Sequence, residues 1–312
     1  MTRAPLFIVN PLAGSGRSAR LLPRIRDWLS LHGVSHALQL TRERGHAEKI
    51  AGAAAAQGHD RVVAVGGDGT IQEVLNGLLV PGNSAGIPAL GVVPAGRGND
   101  VVRGLGLPSD PLACLPIALG DATRLFDVAI ARDSNGRERC FAAAGGAGFD
   151  AQVAHTMHTR RRFWMRGEAG YILATVNELR RYRNHALTVT LCGENGERIV
   201  SGKFLFVAFA NGPYYGGGMR ICPEARTDDG LLDVCLVGDL SRFAALKELP
   251  GIYKAMHVKH PRVEIVRVRS MRIDGDPETL VHLDGEPFGA VPMEIRMQPG
   301  ALRVACSIIG TH

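Results

Sequence analysis

The chain has 312 residues, 46% hydrophobic and 21% charged, the balance of a folded globular protein rather than a disordered one. That length suits two domains of ordinary size, and no apolar stretch approaches the roughly 18 residues needed to span a bilayer. A net charge of +6 favours an anionic partner, whether a nucleotide, a nucleic acid or an acidic membrane surface.

The first 130 residues alternate short apolar runs with helical patterns. Leu6–Val9 reads as a strand, too short for the core of a signal peptide. A helix follows over Ala19–Leu31, with Leu21, Leu22, Ile25, Trp28 and Leu29 at helical spacing. Ala37–Leu40 is strand-like, Ala47–Ala56 an alanine-rich helix, and Arg61–Val65 a strand. Ile71–Leu79 is helical, Ala89–Val93 a strand, and Val101–Leu105 a short helix. This alternation predicts a parallel sheet covered on both faces.

Beyond about residue 125 strands dominate: Leu125–Ala131, Cys140–Ala144, Ala186–Leu191, Ile199–Ala210, Leu231–Val237, Val263–Ile273, Leu280–Leu283, Met293–Met297 and Leu302–Ser307. Gly193–Gly196 reads as a hairpin turn. Only two helical segments intervene, Gly167–Tyr182 and Ser241–Ala255, so a mainly antiparallel β domain is predicted. The polar stretch Arg132–Arg139 marks an approximate boundary. The six cysteines are dispersed and form no CxxC, which reads as buried, reduced thiols of a cytoplasmic protein and not as a zinc site.

Four glycine-rich segments follow predicted strands. Asn10-Pro11-Leu12-Ala13-Gly14-Ser15-Gly16 stands before a helix, where backbone N–H groups and the Ser15 hydroxyl can approach a phosphate. Gly66-Gly67-Asp68-Gly69-Thr70 puts Asp68 and Thr70 at the carboxyl end of a parallel strand, where open α/β sheets bind ligands. Pro94-Ala95-Gly96-Arg97-Gly98-Asn99-Asp100 again links a strand to a helix, and Gly145-Gly146-Ala147-Gly148-Phe149-Asp150 reads as a fourth turn. Ordinary tight connections explain many single glycine turns. Two carboxylates, Asp68 and Asp100, at the ends of separate strands imply Mg²⁺, because they would otherwise repel a phosphate. There is no GxxxxGK[ST], and no GxGxxG after the first strand, so neither a P-loop enzyme nor an NAD-dependent oxidoreductase is expected.

These residues resemble the bacterial relatives of the diacylglycerol kinase catalytic domain, a superfamily that includes sphingosine and ceramide kinases. The matches are Asn10-Pro11 with Gly14-Ser15-Gly16; Gly66–Thr70 with Glu73, Val74, Asn76 and Gly77; and Gly98-Asn99-Asp100. They continue through Asp127, Gly148-Phe149-Asp150, Asn211, Asp228-Asp229-Gly230-Leu231-Leu232-Asp233 and Asp284-Gly285-Glu286. Gly-Gly-Asp-Gly-Thr alone is shared with NAD kinases; the later acidic segments favour the lipid branch. The resemblance implies an N-terminal α/β nucleotide-binding domain over 1–132, completed by 298–312, and a C-terminal antiparallel β-sandwich over 133–297. It also implies an active site in the cleft between the domains.

By the same resemblance, Asn10, Ser15, Gly16, Thr41, Gly67, Asp68, Gly69, Thr70, Arg97 and Asn99 are expected to contact ATP. Asp68, Asp100 and Asp127 would organise the catalytic Mg²⁺, and Glu286 would be the general base. A second, structural Mg²⁺ would take the Asp229 carboxylate with the carbonyls of Arg226 and Leu231. The competing readings are a solvated turn glutamate for Glu286 and a plain Asp-Gly turn at Asp229. Many relatives carry threonine where this chain has Arg97, which alters the phosphate contacts expected there.

The resemblance implies an ATP-dependent lipid kinase, with diacylglycerol as acceptor and phosphatidic acid as product. The alternatives are a kinase of another hydroxyl, such as a sphingoid base or NAD, and a non-catalytic lipid- or nucleotide-binding regulator. The segment Arg160-Arg161-Arg162-Phe163-Trp164-Met165-Arg166 suits insertion at an anionic membrane surface. A second basic run extends from Lys254 to Arg272, with a solvated basic face as its competing reading. The expected state is cytoplasmic with peripheral membrane association; a homodimer is compatible with it. No nucleic-acid-binding motif is present.

Overall fold

The fold comes from a computed structural model that describes residues 3–80, 86–159, 175–194 and 196–307. The chain divides into two compact units, Met1–Val128 with Pro299–His312, and Ala129–Gln298.

The first unit is built on parallel strands β1 (Leu6–Val9), β2 (Ala37–Leu40), β3 (Arg61–Gly66) and β4 (Ala89–Pro94). β1 lies between β2 and β3, and β3 pairs with β4, all in parallel. The strands β1, β3 and β4 are almost wholly buried, as expected where helices cover both faces. Phe7, Val9, Val63, Val65 and Val93 share one core with α1 (Ala13–Leu31) and α5 (Pro111–Leu119). The opposite face carries α2 (His46–Ala56) and α3 (Asp68–Leu78), which also pack on each other. Gly77 permits that approach: a Cβ there would stand 2.1 Å from the Glu48 carbonyl oxygen. A short helix α4 (Asp100–Gly104) follows β4.

Two long strands run through both units, β5 (Thr123–Asp133) and β15 (Met293–Ala305). In the first unit the end of β15 lies parallel to β4, with Val304 opposite Leu90.

The second unit is an antiparallel β-sandwich. One sheet joins β6 (Glu138–Phe141), β5, β15, β12 (Ser270–Gly275) and β8 (His185–Gly193). The other joins β14 (Glu286–Ala290), β13 (Leu280–Leu283) and β7 (Ala144–Gly148), and continues to β10 (Leu232–Gly238) and β11 (Val263–Val268). The 15-residue β9 (Gly196–Ala210) belongs to both: its first half pairs with β8, and its second half lies between β7 and β10. The core between the sheets includes Ala131, Phe141, Val189, Phe209, Val234, Ile273, Leu283 and Ile295. The outer face of the second sheet is covered by α6 (Phe149–Thr159), the helical residues 175–179 and α7 (Arg242–Ile252).

Several expectations are corrected. The helices α5 and α6 were not expected. The run Val263–Ile273 is two strands, because the chain changes sheets at Arg269: Val268 pairs with Leu232, whereas Ser270 pairs with Cys192 and Arg296. Met293–Met297 and Leu302–Ser307 are parts of the single strand β15. The fourth glycine segment is not a turn. Residues 144–148 form β7, paired with β9 and β13. The Arg160–Arg166 cluster lies outside the described residues, as does most of the expected helix Gly167–Tyr182.

Candidate active site

In the first unit, parallel strands β1 to β4 deliver their following turns to one carboxyl edge, and hydrogen bonds knit these turns together. Beyond β1, Asn10 N–H donates to the Val65 carbonyl (3.0 Å), and Thr41 N–H beyond β2 donates to Val9 (2.8 Å). Beyond β4, Ala95 N–H donates to Gly66 (2.7 Å). Side chains add to this: Asn10 Nδ2 donates to Thr70 Oγ1 (3.1 Å), and Asn10 Oδ1 accepts from Leu12 N–H. Asn10 and Thr70 thus join the first and second turns.

The first turn opens α1 with three consecutive left-handed residues, Gly14, Ser15 and Gly16 (φ 60°, 59° and 83°), ahead of the regular helix. A Cβ on Gly14 would lie 2.2 Å from the Ala95 carbonyl oxygen, so only glycine fits between the first and third turns. Arg97 donates to Ser15 Oγ across the same gap. The arginine that stands where many relatives have threonine is therefore a bridge between two turns.

The second and third turns touch backbone to backbone. A Cβ on Gly67 would meet Gly96 Cα at 2.9 Å, and one on Gly96 would meet Gly67 Cα at 2.5 Å. Asp68 Oδ1 accepts from Val101 N–H (3.1 Å), so the carboxylate of one turn caps the helix opened by the other. Asp100, the residue before Val101, is buried and accepts from Arg103 (3.1 Å). Asn99 holds a left-handed conformation (φ 53°), and its Oδ1 is buried without a hydrogen-bond partner. Asparagine is one of the few residues besides glycine that adopts this conformation readily.

Asp127, on β5, is placed differently. Its buried carboxylate accepts from Gly300 N–H (2.7 Å) in β15, tying the returning strand into the unit. Among the described residues, no group of three His, Cys, Asp or Glu side chains could hold a metal ion. Mg²⁺ does not need one, since it usually keeps waters and binds one or two carboxylates together with substrate phosphates. Asp68 accepts from the N–H of Val101, next in the chain to Asp100, and these two carboxylates would supply donors of that kind.

Glu73 has a role that motif reading did not supply. Its two carboxylate oxygens accept from Gly45 N–H (2.8 Å) and Ala47 N–H (3.2 Å), capping α2 from a neighbouring helix. The loop after Thr41 is thereby fixed. Within it, Arg42 N–H donates to His46 Nδ1 (3.0 Å). Thr41 itself is buried at the end of β2, 8% exposed.

In the second unit, Glu286 begins β14 opposite Leu283, across the two-residue turn Asp284-Gly285. Both turn residues have positive φ (49° and 81°), the requirement of a type I′ hairpin. The Asp284 carboxylate accepts three backbone N–H groups, from Ala142 (2.9 Å), Ala143 (2.9 Å) and Ala144 (3.2 Å). Burial pushes its carboxyl above the ordinary range, against the pull of those donors and of His282. His282 Nδ1 accepts from Gly285 N–H (3.2 Å), which leaves Nε2 to donate to Asp150 Oδ2 (3.3 Å). Both side chains are 5% exposed. Gly146 explains the glycine-rich β7: a Cβ there would fall 1.8 Å from the Asp150 carboxylate. Glu286 Oε2 is 3.4 Å from His158 Nδ1 at the end of α6.

The Asp228–Asp233 segment combines a turn and a buried acid. Asp229 Oδ1 accepts from Leu231 N–H (3.0 Å), and Gly230 has φ 74°. Arg226 pairs with Asp228 (3.1 Å). Asp233 is 1% exposed; burial pushes its carboxyl up to about 6, opposed by Arg267 at 3.3 Å. The C-terminal half of the second basic run is paired: Arg267 with Asp233, Arg269 with Glu194, and Arg272 with Asp274 and Glu294.

The chain thus carries a parallel α/β unit with glycine-rich turns at one sheet edge and an antiparallel β-sandwich. The family profile described as diacylglycerol kinase catalytic domain matches residues 4–131. That described as YegS C-terminal NAD kinase beta sandwich-like domain matches residues 143–306. The chain is 34% identical over 298 residues to a diacylglycerol kinase of Mycobacterium tuberculosis, covering 95% of this chain and 93% of that protein. It is 30% identical over 294 residues to a YegS-like lipid kinase of Chromohalobacter salexigens, covering 93% and 91%. A crystal structure of a Bacillus anthracis str. Sterne protein superposes with a TM-score of 0.79 at 26% identity, covering 98% of this chain and 95% of that one. The chain belongs to the diacylglycerol kinase catalytic-domain family, in the lipid-kinase branch that carries a YegS-type C-terminal domain. No helix among the described residues is long and apolar enough to cross a membrane.

Proposed function

We propose that the protein is an ATP-dependent lipid kinase that converts diacylglycerol to phosphatidic acid. The observation that carries this reading is the set of cross-linked turns at one sheet edge, with Asp68 accepting from the N–H of Val101, next in the chain to Asp100. Backbone N–H groups of the Gly14–Gly16 turn, the Ser15 hydroxyl and the Arg97 guanidinium suit the phosphate chain. Asn10, Thr41, Gly67, Gly69, Thr70 and Asn99 complete the nucleotide contacts. Mg²⁺ held through Asp68 and Asp100 would neutralise charge on the transferring phosphate. Asp127 supports that arrangement through β5.

Glu286 takes the proton of the acceptor hydroxyl. The hydroxyl oxygen forms a bond to the γ-phosphorus as the bond to the bridging β–γ oxygen breaks, and ADP leaves. A lipid alcohol has a high pKa, so proton removal during transfer assists the reaction. A structural Mg²⁺ at Asp229, with the carbonyls of Arg226 and Leu231, is an oxygen-only set suited to a hard cation. Its occupancy would appear as a metal-dependent rise in melting temperature that Asp229→Ala abolishes.

The test is transfer of radiolabel from γ-labelled ATP, with Mg²⁺, to a panel of lipids in anionic vesicles beside NAD. Labelled phosphatidic acid is expected, and Asp68→Ala should abolish it. No labelled lipid, with NAD phosphorylated instead, would sink the reading. Glu286→Gln should lower kcat by roughly a hundredfold or more while leaving ATP affinity nearly unchanged. Equal losses in both would reassign Glu286.

A further inference from the structure

The helix α7 is apolar on both sides. Its inner face, with Ala245, Leu249 and Ile252, packs onto the core beneath the second sheet. Its outer face presents Phe243, 81% exposed, and Leu246, 40% exposed. The following turn (Met256–Lys259) adds Met256 and Val258, 58% and 38% exposed. Other exposed large hydrophobics, from Leu12 to Ile199, are scattered singly along the chain, as on any surface. A surface helix normally turns its polar side to water, so an apolar outer face marks a contact surface.

The charge along this segment is predominantly positive. Lys247, Lys254, Lys259 and Arg262 are all exposed, and the stretch 243–262 contains a single acid, Glu248. Lysines beside Phe, Leu and Met on a short helix and the turn after it match an element lying in the plane of an anionic bilayer, with apolar tips below the headgroups and ammonium groups among the phosphates. Phe243, Leu246, Lys247 and Pro250 fall at helical spacing on one face, so they reach a flat surface together. The N-terminus of α7 is fixed independently: Ser241 Oγ accepts from Ala244 N–H, and Arg242 donates to the carbonyls of Arg180 and Tyr182.

We propose that this face, from Phe243 to Val258, seats the C-terminal unit on an anionic lipid bilayer. The choice of a bilayer over a second copy of the chain follows from the net positive charge of the segment, which would repel its own duplicate across a two-fold axis. The proposal deepens the lipid-kinase reading and rests on it for the class of partner.

The experiment is flotation of the full chain with phosphatidylcholine vesicles, with and without phosphatidylglycerol and containing no diacylglycerol. The wild type should bind the anionic vesicles more tightly than the neutral ones. F243S/L246S should weaken binding about tenfold or more. K247E/K254E should weaken binding to anionic vesicles by a similar factor and leave neutral vesicles little changed. Ile199→Ser, at an exposed site on β9, should bind as the wild type. Wild-type binding by both double variants would overturn the proposal. So would unchanged vesicle binding with an altered oligomeric state in sedimentation velocity, which would assign the face to self-association. Vesicle binding without phosphorylation of any lipid would defeat the kinase reading and leave this surface standing. The reverse result, phosphorylation of detergent-dispersed diacylglycerol without vesicle binding, would defeat the surface alone.

Discussion

Asp284 must satisfy two demands: a left-handed backbone and a buried charge. Its φ of 49° suits few residues besides glycine, asparagine and aspartate, and its carboxylate collects three backbone N–H groups. Asparagine meets the first demand and fails the second, because its amide nitrogen turns a donor toward donors. Asp284→Asn should therefore lower stability by about 2–3 kcal/mol, read by thermal or urea unfolding. It should also lower kcat, because the hairpin that carries Glu286 hangs on this carboxylate. An unchanged melting temperature would refute this account. Glu286 drew attention through the family resemblance, because Asp284-Gly285-Glu286 is a motif contiguous in sequence. The work of Asp284 and Glu73 was not legible, since both act by capping backbone supplied from distant positions: Ala142–Ala144 for one, Gly45 and Ala47 for the other.

At the scale of elements, strand and helix periods identified the parallel strands and the α1 to α3 helices, because each carries its own apolar pattern. β7 was misread because glycine has two uses that look alike in sequence. In a turn it relieves backbone strain, whereas in β7 it makes room for the Asp150 carboxylate and the Phe209 ring. The apolar run Val263–Ile273 likewise hides a change of sheet: Val266 and Val268 face the sandwich core from β11, whereas Met271 and Ile273 face it from β12, so the buried parity shifts at the crossing. The turn after α7 carries a different kind of constraint. His257 is 4% exposed; its Nε2 donates to the Ile221 carbonyl (2.9 Å), and its Nδ1 is buried without a hydrogen-bond partner. Burial lowers its pKa below the usual 6.5, so below that pH the unfolded chain binds a proton more readily than the folded one. Stability then rises with pH: this contribution is complete above about pH 6.5 and is lost as pH falls toward the folded pKa. The melting temperature should drop between about pH 7 and about pH 5, and His257→Asn should flatten that drop. An identical pH profile in the variant would remove His257 as its cause.

At the scale of the whole molecule, the chain leaves its first unit through β5 and regains it at the end of β15. Few residues do this work, but they are buried ones: Leu302 and Val304 are each 1% exposed, and Gly300 N–H is a donor to the Asp127 carboxylate. Burying each of those two side chains contributes about 1.5–3 kcal/mol, a large share of the roughly 5–15 kcal/mol that holds a domain folded. Removing them would also leave Asp127, 2% exposed, without that donor. A chain stopped at Gln298 should therefore lose the cooperative unfolding of its first unit, and ATP binding with it, as read by calorimetry and by nucleotide titration. Leu302→Ala makes a graded version of the same test, with an expected cost of about 2–5 kcal/mol. A synthetic peptide covering 299–312, added to the shortened chain, should restore part of the transition in a concentration-dependent way. If the shortened chain melts and binds ATP like the full one, the last strand is dispensable and the first unit is complete without it.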